Sequence, residues 1–198
     1  MSSHLKQLLM KRARIIGSAT NKLPMLRNLL NSQKPKKHTL FYCGDGSNEG
    51  QRQIEAVSEL LYGIGWNLSR FTSRENKGIR AKILENFRGG IIDAMVAIKC
   101  LDEGIDVPEF QGAILVSSAS SERQYIQRRG RILRGAIQGK IAELYDIIVI
   151  PTPEQVDDME DLAMKIIKNE LKRVEALSEC SLNSSESKNK INDKKNIN

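Results

Sequence analysis

The stretch QYIQRRGRILRG, residues 124–135, concentrates the groups in this chain best suited to chemistry on phosphate. On a helix, Gln127, Arg131 and Arg134 fall at spacings of four and three and line one face. One amide and two guanidinium forks converging there match the oxygens of a phosphate, since each fork donates paired hydrogen bonds. Arg123, Arg128 and Arg129 add charge, Ile126 and Leu133 give the other side an apolar anchor, and Gly130 permits close approach. A solvated basic helix has the same composition, so the stretch takes its meaning from what precedes it.

The elements that must position these residues alternate. Residues 39–43, TLFYC, form a short apolar run that stops at Gly44-Asp-Gly46, as a strand ends in a turn. Residues 48–62 carry Ile54, Val57, Leu60 and Leu61 at helical spacing. Residues 67–72 read as a second strand, and 77–87 as a helix with Ile79, Ile83, Leu84 and Phe87 on its apolar face. Residues 91–98 are nearly all apolar, the mark of a strand buried on both faces, and 112–116 and 141–150 continue the series. Strands alternating with helices predict an α/β fold: a mainly parallel sheet of about six strands with helices on both faces. Ligands of such sheets bind at the carboxyl ends of the strands, so the turns after Cys43, Thr72, Ile98, Val116 and Ile150 are the places where chemistry is expected.

The flanks differ from this body. Residues 1–37 carry nine Lys or Arg and no acid, whereas the whole chain has net charge +7, so from His38 onward the balance is −2. A basic arm on a near-neutral body suits a polyanionic partner or simply aids solubility; charge alone does not separate the two. Two short helices are expected in this arm, the second on Leu23, Leu26, Leu29 and Leu30. Thr152-Pro-Glu-Gln155 is a helix start, and the helix is expected to run to about residue 178 with acids early and bases late. The tail after 181 has almost no apolar content and is expected to be disordered. The expected organisation is therefore a basic helical extension over 1–37, the α/β domain over 38–150, a helix over 151–180 and a tail over 181–198.

No apolar run is long enough to span a membrane. Three widely spaced cysteines, Cys43, Cys100 and Cys180, fit neither a zinc site nor a disulfide framework, so a reducing intracellular compartment is expected: cytoplasm, with nucleoid or nucleus as alternatives. His4 and His38 stand alone, which favours solvation or packing over metal. Ser117, Ser118, Ser120 and Ser121 have no histidine companion and read as a strand-end loop. Trp66 reads as core. Aromatic residues are 5% of the chain, too few to support base stacking as the mode of binding.

VAIKCLDEGIDVPEFQGAILVSS, residues 96–118, followed by QRRGRILRG, residues 127–135, resembles motifs V and VI of superfamily 2 helicases. The strand 39–43 is similar to motif IV, and FTSRENKGIRAKILENFRGG, residues 71–90, to the segment after it. The close resemblance covers residues 38–150. The flanks RARIIGSATNKLPML and ELKRVEALSEC look like those of bacterial DEAD/DEAH-type helicases related to restriction motors and excision-repair helicases. The resemblance implies the C-terminal RecA-like domain of a two-domain motor, with ATP in the cleft between the domains. It implies that Arg131 and Arg134 are arginine fingers, that Gln127 positions the γ-phosphate region, and that Arg128 is a structural or positioning residue. It also implies that Gly104 and Asp106 lie near the ribose and the finger network. Fixed guanidinium forks stabilise the charge spread over a transferring phosphoryl group without reorganisation.

The same resemblance implies nucleic-acid backbone contacts near Thr72 and Arg74, for which a helix-capping turn is the equal alternative. Where many helicases have threonine this chain has Ile98, followed by Lys99, which can offer a charge-based phosphate contact in place of the hydroxyl. Asp102 and Glu103 also depart from a phosphate-binding pattern. No G-x-x-x-x-G-K-[ST] phosphate loop and no DEAD or DEAH box occurs. The expected partners are thus nucleic acid, with DNA favoured over RNA, and an N-terminal RecA-like domain that holds most of the ATP and Mg2+. The chain is expected to be part of a longer or split protein and inactive alone. Two other readings stay open: a non-catalytic RecA-like interaction module, and a purely structural arginine helix paired to Asp102, Glu103 and Asp106.

Overall fold

The computed structural model describes residues 7, 14, 16–32, 38–48, 50–98, 110–117, 141–152, 154, 160–179, 181–187 and 189. The chain divides into two compact units, Met1–Ser120 with Gly130–Ile147, and Ser121–Arg129 with Ile148–Asn198.

In the first unit the described elements are α1 (Lys22–Ser32), β1 (Thr39–Cys43), β2 (Ser47–Asn48), β3 (Gln51–Arg52), α2 (Gln53–Gly63), β4 (Leu68–Phe71), α3 (Lys77–Arg88), β5 (Ala94–Ile98), β6 (Gly112–Leu115) and β7 (Glu143–Asp146). Five strands make one sheet in the order β4-β5-β1-β6-β7, and every neighbouring pair is parallel. All five residues of β1 and of β5 are buried, which is why their sequences are continuously apolar instead of alternating.

Strand alternation sorts the core into two layers. Phe41, Cys43, Val96, Ile98 and Ile114 share a cluster with Leu26 and Leu30 of α1 and Ile54, Val57 and Leu61 of α2. Trp66 joins this layer, its ring edge-on to Phe41 at 5.5 Å. The opposite parity is covered at the β4 side by α3. Arg80 lies 5.9 Å over the Phe71 ring, and Phe87 packs 5.0 Å from His38 and 5.4 Å from Phe110. Helices therefore cover both faces, as expected, and His38 and Trp66 serve packing.

One stretch differs from expectation. The helix predicted from residue 48 begins at Gln53, because the chain first folds back as a two-residue antiparallel ribbon, β2 on β3. Gly50 makes that reversal possible with φ +82°, a left-handed conformation that costs a glycine nothing. The main sheet thus has five strands among the described residues instead of about six, with this ribbon beside it.

The second unit contains α4 (Glu160–Ser178). Its Glu170 and Arg173 are both buried and form a two-armed pair, 2.5 Å from Nη1 to Oε1 and 3.0 Å from Nη2 to Oε2. The Val149 N–H donates to the same Glu170 Oε2 at 3.0 Å, so one carboxylate fixes both an arginine and the extended chain before the helix. Upstream, a hydrogen bond from the Thr152 side chain holds the Glu154 carboxyl below its usual range. Residues 184–187 adopt helical backbone.

Candidate functional site at the carboxyl edge of the sheet

Register places the strand ends side by side: Cys43 beside Ile98, Phe71 beside Ala97, and Tyr42 beside Leu115. Three described groups of residues gather on this edge.

The first is the loop after β4. The Thr72 N–H and hydroxyl both donate to Glu75 Oε2, at 2.6 and 2.8 Å, and the same hydroxyl accepts the Arg74 N–H at 3.1 Å. This closed ring shapes the loop and leaves the Arg74 side chain exposed, while Thr72 itself is buried. The cap of α3 is a separate device: Asn76 Oδ1 accepts the Ile79 N–H at 2.9 Å. Thr72 organises the turn, and Arg74 is the group presented outward.

The second group follows β1. The Gln53 side chain accepts the Gly44 N–H at 2.7 Å and donates to the Gly17 carbonyl at 2.7 Å. Asp45 and Arg52 form a partly exposed ion pair at 3.1 Å. That exposure makes the pair a minor contributor to stability.

The third group is a strap, Arg14 with residues 16–22, laid against the ends of β1 and β6. It fits because glycines leave room: a Cβ at Gly17 would stand 2.8 Å from Ser117 Oγ, and one at Gly44 2.6 Å from the same atom. A Cβ at Gly46 would meet Ser18 Cβ at 3.1 Å and the Arg14 carbonyl at 3.2 Å. At the strap's end Lys22 is only 4% exposed, and its Nζ donates to the carbonyls of Val116 at 2.7 Å and Ile147 at 3.5 Å. Cys43 lies in the same region, fully buried. Desolvation pushes its thiol pKa far up, and the Lys22 charge only partly offsets that shift.

Of the residues singled out by sequence, Thr72 and Arg74 are on this edge. Lys99, Gly104, Asp106, Gln127, Arg128, Arg131 and Arg134 lie outside the described residues. Sequence reasoning missed Lys22 and Gln53. Lys22 counts as one of the nine bases of the N-terminal arm, and its only local signal is its place at the start of the Leu23-Leu26-Leu30 periodicity. Gln53 looks like an ordinary first-turn residue. Among the described residues no group of His, Cys, Asp and Glu is placed to hold a metal ion, and no helix is long and apolar enough to cross a membrane.

Comparison with known proteins matches residues 21–136 to a family described as the helicase conserved C-terminal domain. The DNA 3'-5' translocase XPB2 of Sulfurisphaera tokodaii is 30% identical over 140 residues, 71% of this chain and 29% of that protein. The ATP-dependent RNA helicase dbp6 of Schizosaccharomyces pombe is 28% identical over 127 residues, 63% of this chain and 20% of that protein. The chain thus spans less than a third of the length of these relatives. Among solved structures, the C-terminal domain of the DEAD-box protein Dbp5 superposes with a TM-score of 0.55 at 16% identity, covering 82% of this chain and 79% of that one. The RNA helicase Prp28 from Chaetomium thermophilum gives 0.51 at 23%, covering 75% and 34%. These likenesses establish a RecA-like fold.

Proposed function

The chain belongs to the family of helicase conserved C-terminal domains, and from that premise we propose that it is the second RecA-like half of an ATP-dependent DNA translocase or helicase. The observation that carries this reading is that the family match extends through the arginine stretch, so Arg131 and Arg134 fall inside it. Bound ATP with Mg2+ supplies the phosphoryl group whose transfer drives the motor. Both are assigned to a partner domain, because this sequence has no phosphate loop. This chain's part is to donate: Arg131 and Arg134 to the oxygens of the transferring group, Gln127 to its γ-phosphate side, with Arg128 holding the segment in place. Gly104 and Asp106 flank the ribose and brace the fingers. Arg74 and Lys99 address phosphates of the track, with Thr72 shaping the loop. Affinity is then dominated by backbone charge, falls with salt and discriminates little between sequences. DNA is the proposed track because XPB2, 30% identical over 71% of this chain, is a DNA translocase.

The test supplies a phosphate-loop domain, in the longer protein or in trans, and measures ATP turnover. Arg131→Ala and Arg134→Ala each reduce it by roughly 10³–10⁵-fold, the range of arginine fingers in other phosphoryl-transfer enzymes. Arg→Lys restores little, since an ammonium lacks the planar fork. Folding and nucleotide-free DNA affinity stay unchanged. Alanine variants that unfold identify a structural ion-pair helix instead, and variants with full turnover but lost DNA binding identify a track-binding helix.

A further inference from the structure

We propose that Lys22 is a positioning residue, which ties the strap at the carboxyl edge to the root of the arginine-rich segment. Val116 and Ser117 are the last described residues before that segment, and Gln127 follows Ser117 by ten positions. The amides of both residues donate to a single acceptor, the Tyr42 carbonyl, at 3.0 and 3.1 Å. The regular ladder of β6 therefore ends here. What fixes this end comes from elsewhere. Lys22 Nζ grips the Val116 carbonyl, and Ser117 Oγ is wedged against Gly17 and Gly44. Gln53 clamps the strap's Gly17 to Gly44 at the end of β1.

A buried ammonium is costly unless polar groups surround it, and here carbonyls at the ends of two strands converge on it. A methyl-tipped side chain would fill that space without a donor. The lysine thus does something packing alone does not: it makes the position of Val116 depend on the position of the strap. Any displacement of the strap is passed to Val116 and Ser117, the last described residues before the arginine-rich stretch.

Hydrogen–deuterium exchange on this chain tests the link. Lys22→Met accelerates exchange about tenfold or more at Val116, Ser117 and residues 118–135, and leaves β4 and β5 amides within about twofold of wild type. Uniform acceleration across the sheet overturns the proposal, because Lys22 is then only a core contact, and so does acceleration confined to residues 14–32. If Lys22→Met does not fold, Gln53→Ala carries the same test by loosening the strap at Gly17, and unchanged exchange at 116–135 in that variant overturns the link. The proposal rests on Arg131 and Arg134 being the fingers, so turnover is read separately. With a phosphate-loop domain supplied, Lys22→Met lowers kcat for ATP while KM stays the same. Localised exchange with unchanged kcat overturns the positioning role and leaves the family reading standing. An Arg131→Ala variant with full turnover sinks the finger assignment itself, whatever the exchange shows.

Discussion

The side-chain amide of Gln53 donates to the backbone carbonyl of Gly17, 36 residues earlier, at 2.7 Å. Its other end takes the Gly44 N–H at the same distance. Gln53→Ala strands two backbone groups at once, and a buried group left unpaired costs about 1–3 kcal/mol. The variant should lose roughly 3 kcal/mol by urea denaturation with an unchanged m-value. A loss under about 0.5 kcal/mol means that water replaces the amide and the clamp is dispensable.

Gly44 sits where an added Cβ would lie 2.6 Å from Ser117 Oγ and 3.0 Å from Ser117 Cβ. Gly44→Ala is expected to cost about 1–3 kcal/mol by overpacking. Ser117→Gly in the same chain should recover part of that loss. A double-mutant cycle with no coupling between the two positions would place the clash elsewhere.

Arg74 is exposed and Thr72 is committed to Glu75. Arg74→Ala should weaken nucleic-acid binding and lower the steepness of its salt dependence by about one unit. Thr72→Val should act mainly on the loop, at a cost of about 1 kcal/mol, with the smaller effect on binding. If Thr72→Val matches Arg74→Ala in binding while its melting temperature is unchanged, the hydroxyl touches the track directly.

In the second unit, Arg173→Ala leaves the buried Glu170 carboxylate with the Val149 N–H as its one remaining partner among the described residues and should cost about 3–5 kcal/mol. Replacing both partners by apolar residues of similar size should cost less than the single change. Thermal melts of the three variants decide this, and a harmless Arg173→Ala would show that water reaches the pair.

Burial raises the Cys43 thiol pKa in the folded chain. A raised value means that the folded state keeps its proton where the unfolded chain releases it. Its contribution to stability is therefore complete below the ordinary thiol pKa of about 8.5 and is lost as pH climbs above it. Cys43→Ala should flatten the alkaline fall in stability relative to wild type, and the native thiol should resist alkylation at neutral pH. Rapid labelling of folded protein at Cys43 would contradict its burial.

The sheet was legible because its strands announce themselves locally. TLFYC and AMVAI are buried on both faces, so each reads as a continuous apolar run bounded by turn residues. The start of α2 was not legible, since Ile54 and Val57 fix the helical period but not its beginning, and the ribbon before it depends on the backbone of Gly50. Least legible was Lys22. A lysine is normally solvated, and this one is buried because carbonyls 94 and 125 positions away meet at its Nζ. Nothing within a helical turn of residue 22 encodes that meeting. The motif resemblance singled out Thr72 and Arg74 together, but it did not separate the loop-shaping hydroxyl from the outward arginine.

The strand order has a consequence for how the chain folds as it is made. β1 is the first strand of this sheet in chain order, yet its hydrogen-bonding partners on either side are β5 and β6, which come far later in the chain. Until residue 115 has emerged, TLFYC cannot have both its edges paired, and an unpaired apolar strand is a template for the wrong neighbour. A nascent chain halted between β5 and β6 should therefore hold β1 with one side open and be prone to self-association, and release of the remaining residues should cure it. The central place of β1 makes the finished sheet robust and the unfinished one vulnerable, and the interval between the two is set by the time needed to translate residues 99–115.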